Sequence, residues 1–165
     1  MTAFPMGVRP ARPGDEERLM ALFITAHTEN GFGDVNLPEV RRVIDAACHG
    51  HGEVAAVIDG PERMEAVLAL YPMRSWYCTD APQNWYHTER LLYVHPLHRR
   101  TRHAAKLFLF ARWWSEQTGL PVLLGLMPRR DLNRKADFYR RHAMPIGGLF
   151  LVGPSLLTSP HVGTA

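Results

Sequence analysis

The chain is poor in cysteine, in long apolar runs and in repetition. Two cysteines among 165 residues, Cys48 and Cys78, make no disulfide framework and fit a reducing compartment. No apolar run approaches the ~20 residues that a membrane-crossing helix needs. The first residues lack a basic stretch followed by an apolar one, so no secretory leader is expected and the expected location is cytoplasmic. Internal repeats and low-complexity stretches are also missing. What remains is an ordinary globular composition, 46% hydrophobic and 21% charged, and enough length for one domain with a genuine core.

Charge is unevenly spread along the chain. Residues 1–89 carry seven arginines against thirteen acidic residues, a net of −6, while residues 90–165 carry twelve basic against three acidic, a net of +9. The second half is therefore suited to an anion. Its most informative stretch is Val94-His95-Pro96-Leu97-His98-Arg99-Arg100-Thr101-Arg102-His103-Ala104-Ala105-Lys106-Leu107. An apolar run ends, cationic and imidazole side chains follow, and an apolar helix begins. Backbone N–H groups at such a helix start carry partial positive charge, and Arg99, Arg100 and Arg102 add full charges. A phosphate or pyrophosphate suits that place. The plain alternative is a solvated basic helix start.

Periodicity supplies the remaining elements. Residues 7–9 read as a short strand. Leu19, Leu22, Phe23 and Ala26 recur at helical spacing, and Val40, Val43, Ile44 and Ala47 mark a second helix that starts at Pro38. Strands are expected at 53–58 and 64–71 around an Asp59-Gly60-Pro61 turn, and at 86–94 after a loop over 72–85. A long helix is expected from about Arg99 to Thr118, closed by Gly119. A strand at 122–126, a helix capped by Asp131 and running to about His142, and a strand at 146–152 complete the order β-α-α-β-β-β-α-β-α-β.

Three segments resemble the GNAT superfamily of acyl-CoA N-acyltransferases. Val8-Arg9-Pro10-Ala11 and Pro13-Gly14-Asp15 resemble its first strand and helix entry. Val94-x-Pro96-x-x-Arg99-x-x-Arg102-x-Ala104-x-x-Leu107 resembles its pyrophosphate motif, and Asn133-x-x-Ala136-x-Phe138-Tyr139-x-x-x-Ala143-Met144 resembles its later motif. Arg102 stands where the family usually has glycine, Ala143-Met144 replaces the usual Gly-Phe, and Arg12 lies where a capping Ser or Thr is usual. The resemblance spans residues 7–152.

The resemblance implies an α/β (α+β) fold: a mixed, mostly antiparallel sheet of six or seven strands with a splayed parallel pair, flanked by about four helices. A single domain over 1–153 is expected, with a tail over 154–165. It implies acetyl-CoA as co-substrate, with the pantetheine arm on backbone groups near Leu92 and Val94. The pyrophosphate would lie on the turn of Arg99, Arg100, Thr101, Arg102, His103, Ala104 and Ala105, and Asn133 would touch the cofactor arm. It assigns Tyr139 as the acid that protonates the departing thiolate. Glu89 is the candidate base, with His87, two residues earlier on the same face, as the alternative. The plainer reading of Glu89 is a surface carboxylate paired with an arginine.

The implied reaction moves an acetyl group to a primary amine of a small molecule, peptide or protein. Glu29, Asp34 and Glu39 are compatible with a cationic acceptor, and Trp76, Tyr77, Trp85 and Tyr86 bracket a loop that lines a pocket or covers the sheet. A homodimer is compatible with the family. Two other readings remain: a CoA-binding regulatory module without catalysis, and a nucleic-acid binder using the basic half. No nucleic-acid motif and no membrane partner is expected. No metal is expected either, because Cys48-x-x-His51 has no partner pair and His95, His98 and His103 follow no zinc spacing.

Overall fold

The structure, a computed structural model, describes residues 4–30, 33–125 and 132–145. One arginine ties the first turn of the chain together. Arg9 opens the two-residue strand β1 (Arg9–Pro10). Its guanidinium donates to both oxygens of Asp15, at 2.6 and 2.9 Å, and to Asp59 at 2.6 Å. Arg12 N–H adds a third bond to Asp15 at 3.0 Å. These donors, the Arg9 bond foremost, hold the Asp15 carboxyl below the usual carboxylate range despite its burial.

Helix α1 (Glu16–Asn30) follows, with Glu16 and Glu17 placed favourably in its first turn. Helix α2 (Leu37–His49) is capped by Asn36, whose side chain accepts from Glu39 N–H at 3.2 Å. It ends at Gly50, whose φ of 73° suits a residue without Cβ. The sheet then forms from β2 (Val54–Asp59), β3 (Met64–Arg74), β4 (Trp85–Val94) and β5 (Val122–Leu123), in the order β1-β2-β3-β4-β5. Every neighbouring pair is antiparallel except β4 and β5.

Helix α3 (His103–Thr118) covers one face of the sheet and α1 with α2 the other. Alternation in β2 makes the point. Ala56 and Ile58 pack with Leu68, Leu70, Leu107 and Phe110, while Ala55 and Val57 pack with Leu19, Leu22 and Cys48. Both faces are buried, so the strand reads as a continuous apolar run. Phe110, Leu107, Leu68 and Leu70 are fully enclosed, each contributing about 1.5–3 kcal/mol by leaving water. Helix α4 (Leu132–His142) lies beside α3, with the Phe138 ring edge-on to Phe108 at 6.1 Å.

Several expected boundaries move. The described residues form five strands rather than six or seven, and the expected strand at 146–152, the expected tail and the Asp131 cap lie outside them. The loop expected over 72–85 is shorter, because β3 continues through Pro72 to Arg74 and β4 starts at Trp85. Proline is tolerated there because β2 stops alongside Leu70, leaving that edge of β3 unpaired. Helix α3 begins at His103, not near Arg99. Pro96–His98 form a single 3-10 turn, Thr101 N–H and hydroxyl both donate to His98 C=O, and Arg102 has φ −86° and ψ 14°. That backbone is right-handed and open to any L-residue, so arginine in place of glycine is unstrained.

Candidate active site

Strands β4 and β5 are parallel neighbours over His87–Val122 and Thr88–Leu123 alone. Beyond Thr88, β4 runs on to Val94, while Leu124 and Gly125 continue without pairing to it. The two strands therefore part, as the splayed pair requires. At the parting point β4 carries a bulge. Leu70 faces Glu89 and Ala69 faces Leu91, so Arg90 is one residue too many. Arg90 turns away to Glu53, at 2.5 and 2.8 Å, and its guanidinium lies over the Tyr71 ring.

Glu89 and Tyr139 meet in this gap. The Tyr139 hydroxyl donates to Glu89 Oε2 at 2.5 Å. Lys135, one helical turn earlier on α4, donates to Glu89 Oε1 at 2.6 Å, and the backbone N–H of Leu92 donates to the same oxygen at 3.1 Å. The carboxylate is almost wholly enclosed, at 6% side-chain exposure, so these three donors stand in for water. It is thus no surface carboxylate paired with an arginine. Burial first, then the Glu89 charge and the bond to it, push the Tyr139 phenol far above its ordinary value. The phenol therefore keeps its proton at neutral pH.

His87 shares the Glu89 face but is buried against Trp114, with ring centroids 5.7 Å apart. Neither ring nitrogen has a partner, and burial pushes the imidazole below its usual value. A neutral imidazole can accept a proton, and His87 also lines a cavity with Leu70, Pro72, Trp113 and Trp114, so it stays beside Glu89 as the alternative base.

The turn before α3 has a mixed character. Three of its N–H groups are used internally: Arg99 to Pro96 C=O, Thr101 to His98 C=O, and His103 to the Thr101 hydroxyl. Among the described residues nothing accepts from the N–H groups of Arg100, Arg102, Ala104 and Ala105. Unpaired amides at a helix start carry the partial positive charge an anion needs. Arg100 and Arg102 are exposed beside them. Arg99 is placed differently. Its guanidinium donates to Glu29 on α1 and packs 5.8 Å from the Tyr93 ring centroid. The Tyr93 hydroxyl also donates to Glu29, and burial with that bond pushes Tyr93 up to about 12. The His103 ring turns to Glu65, at 2.6 Å. Leu92 and Val94 pack their side chains against the α3-side core, and Asn133 is exposed on α4.

Other expectations fare unevenly. Glu39 is bonded to Arg42 and Glu29 to Arg99 and Tyr93, so neither carboxylate is a free acidic group for an acceptor. Trp76 and Tyr77 are exposed, edge to face with each other, rather than laid over the sheet. Cys48 is buried under α1, its thiol pushed up to about 11 by burial. Sequence spacing did not reveal Lys135 as a partner of Glu89. A cation four residues before Tyr139 on one helix face was the available signal.

The chain matches no protein-family model and no curated protein by sequence. Its fold does have close counterparts. A predicted acetyltransferase from Clostridium acetobutylicum, solved with acetyl-CoA, superposes with a TM-score of 0.70 at 14% identity over 93% of this chain and 98% of that one. An aminoglycoside 6'-N-acetyltransferase from Acinetobacter haemolyticus gives 0.64 at 15% identity, over 91% and 98%. A ribosomal-protein-alanine N-acetyltransferase from Brucella melitensis gives 0.64 at 12% identity, over 89% and 98%. The chain has the GNAT N-acetyltransferase fold.

Proposed function

We propose that this protein is an acetyl-CoA-dependent N-acetyltransferase acting on a primary amine. The observation that carries the reading is the parting of β4 and β5 with Tyr139 and Glu89 in contact inside the gap. A thioester laid along β4 would present its carbonyl there. Its diphosphate would take the free amides of Arg100, Arg102, Ala104 and Ala105, with Arg100 and Arg102 adding charge-assisted contacts and Asn133 reaching the cofactor arm.

The chemistry balances as direct transfer. The neutral amine attacks the thioester carbon, a C–N bond forms, and the oxyanion of a tetrahedral intermediate collapses to break the C–S bond. Glu89 takes the proton lost by nitrogen, directly or through one water. Tyr139 gives its proton to sulfur and regains one from Glu89 across their 2.5 Å contact. The acceptor is a small-molecule, peptide or protein amine. Aminoglycoside acetyltransferases among the fold's counterparts favour small molecules.

Calorimetry with acetyl-CoA, followed by thiol release over a panel of amines, tests the reading. Binding with release for at least one amine is expected, and no binding of acetyl-CoA sinks it. The three donors on Glu89 and the Arg99–Glu29 bond favour one second reading, a CoA-binding module that does not turn over. Tight binding with no thiol release across the panel would mark it.

A further inference from the structure

A second cluster lies outside the gap. Glu65 is near the start of β3, His98 ends the 3-10 turn after β4, and His103 opens α3. Glu65 Oε2 lies 2.6 Å from His103 Nε2 and 3.5 Å from His98 Nδ1, and one ligand atom from each residue falls within 4.8 Å of the others. The two imidazoles are stacked, with centroids 5.9 Å apart and planes 22° from parallel. Side-chain exposures are 14% for Glu65, 13% for His103 and 26% for His98, so the cluster is walled in with its opening at His98.

We propose that Glu65, His98 and His103 form a three-ligand site for a zinc ion, which pins the turn carrying Arg99–Arg102 to β3. Two imidazole nitrogens and one carboxylate oxygen are the donor set of a borderline divalent metal, whereas magnesium and calcium take oxygens. Ligand atoms around a tetrahedral zinc at ~2.0–2.1 Å stand roughly 3.3 Å apart. The 3.5 Å separation already meets that, and the 2.6 Å contact must open by well under an ångström. Three different elements supply the ligands, and Glu65 C=O accepts from His95 N–H at 2.8 Å, which fixes β3 against the end of β4. The buried His103 Nδ1 is unpaired with or without metal, so it favours neither state. The expectation of no metal came from local spacing, Cys48-x-x-His51 without a partner pair and His95, His98 and His103 off any zinc spacing. The carboxylate thirty-odd residues upstream lies beyond any local motif.

The test uses full-length protein stripped with chelator, titrated with zinc chloride by calorimetry and checked by competition with a chromophoric chelator. One zinc per chain is expected. His98→Ala and His103→Ala should each weaken it at least tenfold with the far-ultraviolet spectrum unchanged. His49→Ala serves as the control and should leave it intact, since the Glu16, Asp45 and His49 group is largely exposed and His49 Nδ1 faces the Asp45 carbonyl at 3.0 Å. Cobalt in place of zinc should give the visible bands of a four-coordinate ion in wild type and His49→Ala, and not in His98→Ala or His103→Ala. Absence of a one-equivalent site in wild type, or wild-type affinity in the His98→Ala and His103→Ala proteins, overturns the proposal. The acetyl-CoA reading is tested on zinc-free protein, so either can fail without the other.

Discussion

Replacing Tyr139 with phenylalanine removes one oxygen from an enclosed cluster and leaves the rest in place. Glu89 loses the 2.5 Å bond from the phenol but keeps Lys135 at 2.6 Å and Leu92 N–H at 3.1 Å. The carboxylate is therefore not orphaned, and the stability cost is that of one hydrogen bond to a charged acceptor, about 1.5–3 kcal/mol. The ring still fills its place beneath α4, so no cavity opens. Turnover should suffer far more. Loss of a positioned acid costs roughly 10²–10⁴-fold in rate. Affinity for acetyl-CoA, which depends on the turn before α3, should change by less than about threefold, well inside the ~1.4 kcal/mol of a tenfold change. Urea denaturation, calorimetry and thiol release on the same preparation separate the three quantities. A variant that turns over at the wild-type rate with a good amine removes Tyr139 from the chemistry. Loss of acetyl-CoA affinity in step with rate would show that Tyr139 acts through binding instead.

The neighbouring features give further expectations. His87→Phe removes two enclosed, unpaired nitrogens beside Trp114, and equilibrium denaturation should show stability unchanged or raised by about 1 kcal/mol; a loss above 2 kcal/mol would contradict the burial argument. Because burial holds folded His87 below its usual value of 6.5, the unfolded chain takes up a proton there that the folded chain refuses. Wild-type stability should thus be lost as pH falls below about 6.5, and that slope should be shallower in His87→Phe. Asp15→Asn breaks the enclosed pair with Arg9 and should cost about 3 kcal/mol at pH 7. Folded Asp15 titrates below its unfolded value of 3.8, so the gap between the two proteins should persist above that pH and close as pH falls through the folded value, which melts across a pH series will show. Arg100→Ala and Arg102→Ala should each weaken acetyl-CoA about fivefold, roughly 1 kcal/mol, and more so at low salt. Arg99→Ala should chiefly lower the melting temperature, because its guanidinium is bonded to Glu29; equal binding losses at all three positions would refute that division.

The sequence showed what depends on local order. The apolar run into Pro96, the basic turn and the apolar stripe of α3 marked the turn proposed to take the diphosphate, and the later motif placed Tyr139 on a helix that reaches β4. Glu89 and His87 were correctly put on one face by alternation. What stayed hidden depends on distant pairing. Arg99 looks like its basic neighbours until Glu29, seventy residues earlier, claims it. His103 reads as part of the anion turn until Glu65 turns its ring aside. The start of α3 moved because the Thr101 hydroxyl, not a helical carbonyl ladder, takes up the turn's bonding. His87 packs against Trp114, a contact between strand and helix that no spacing encodes.

The surplus residue Arg90 changes the phase of β4. Below it, Glu89 looks toward α4; above it, Leu92 and Val94 look the same way, and Leu91 and Tyr93 look toward α1 and α2. In an unbroken pleat, odd-numbered positions would all share one side. The extra step re-seats the upper half of the strand by one position, so the half that would seat a cofactor and the half that carries the carboxylate keep independent registers. Deleting Arg90 would close the bulge and leave Leu91, Leu92, Tyr93 and Val94 on the faces they now occupy, at the cost of the contacts Arg90 makes with Glu53 and Tyr71.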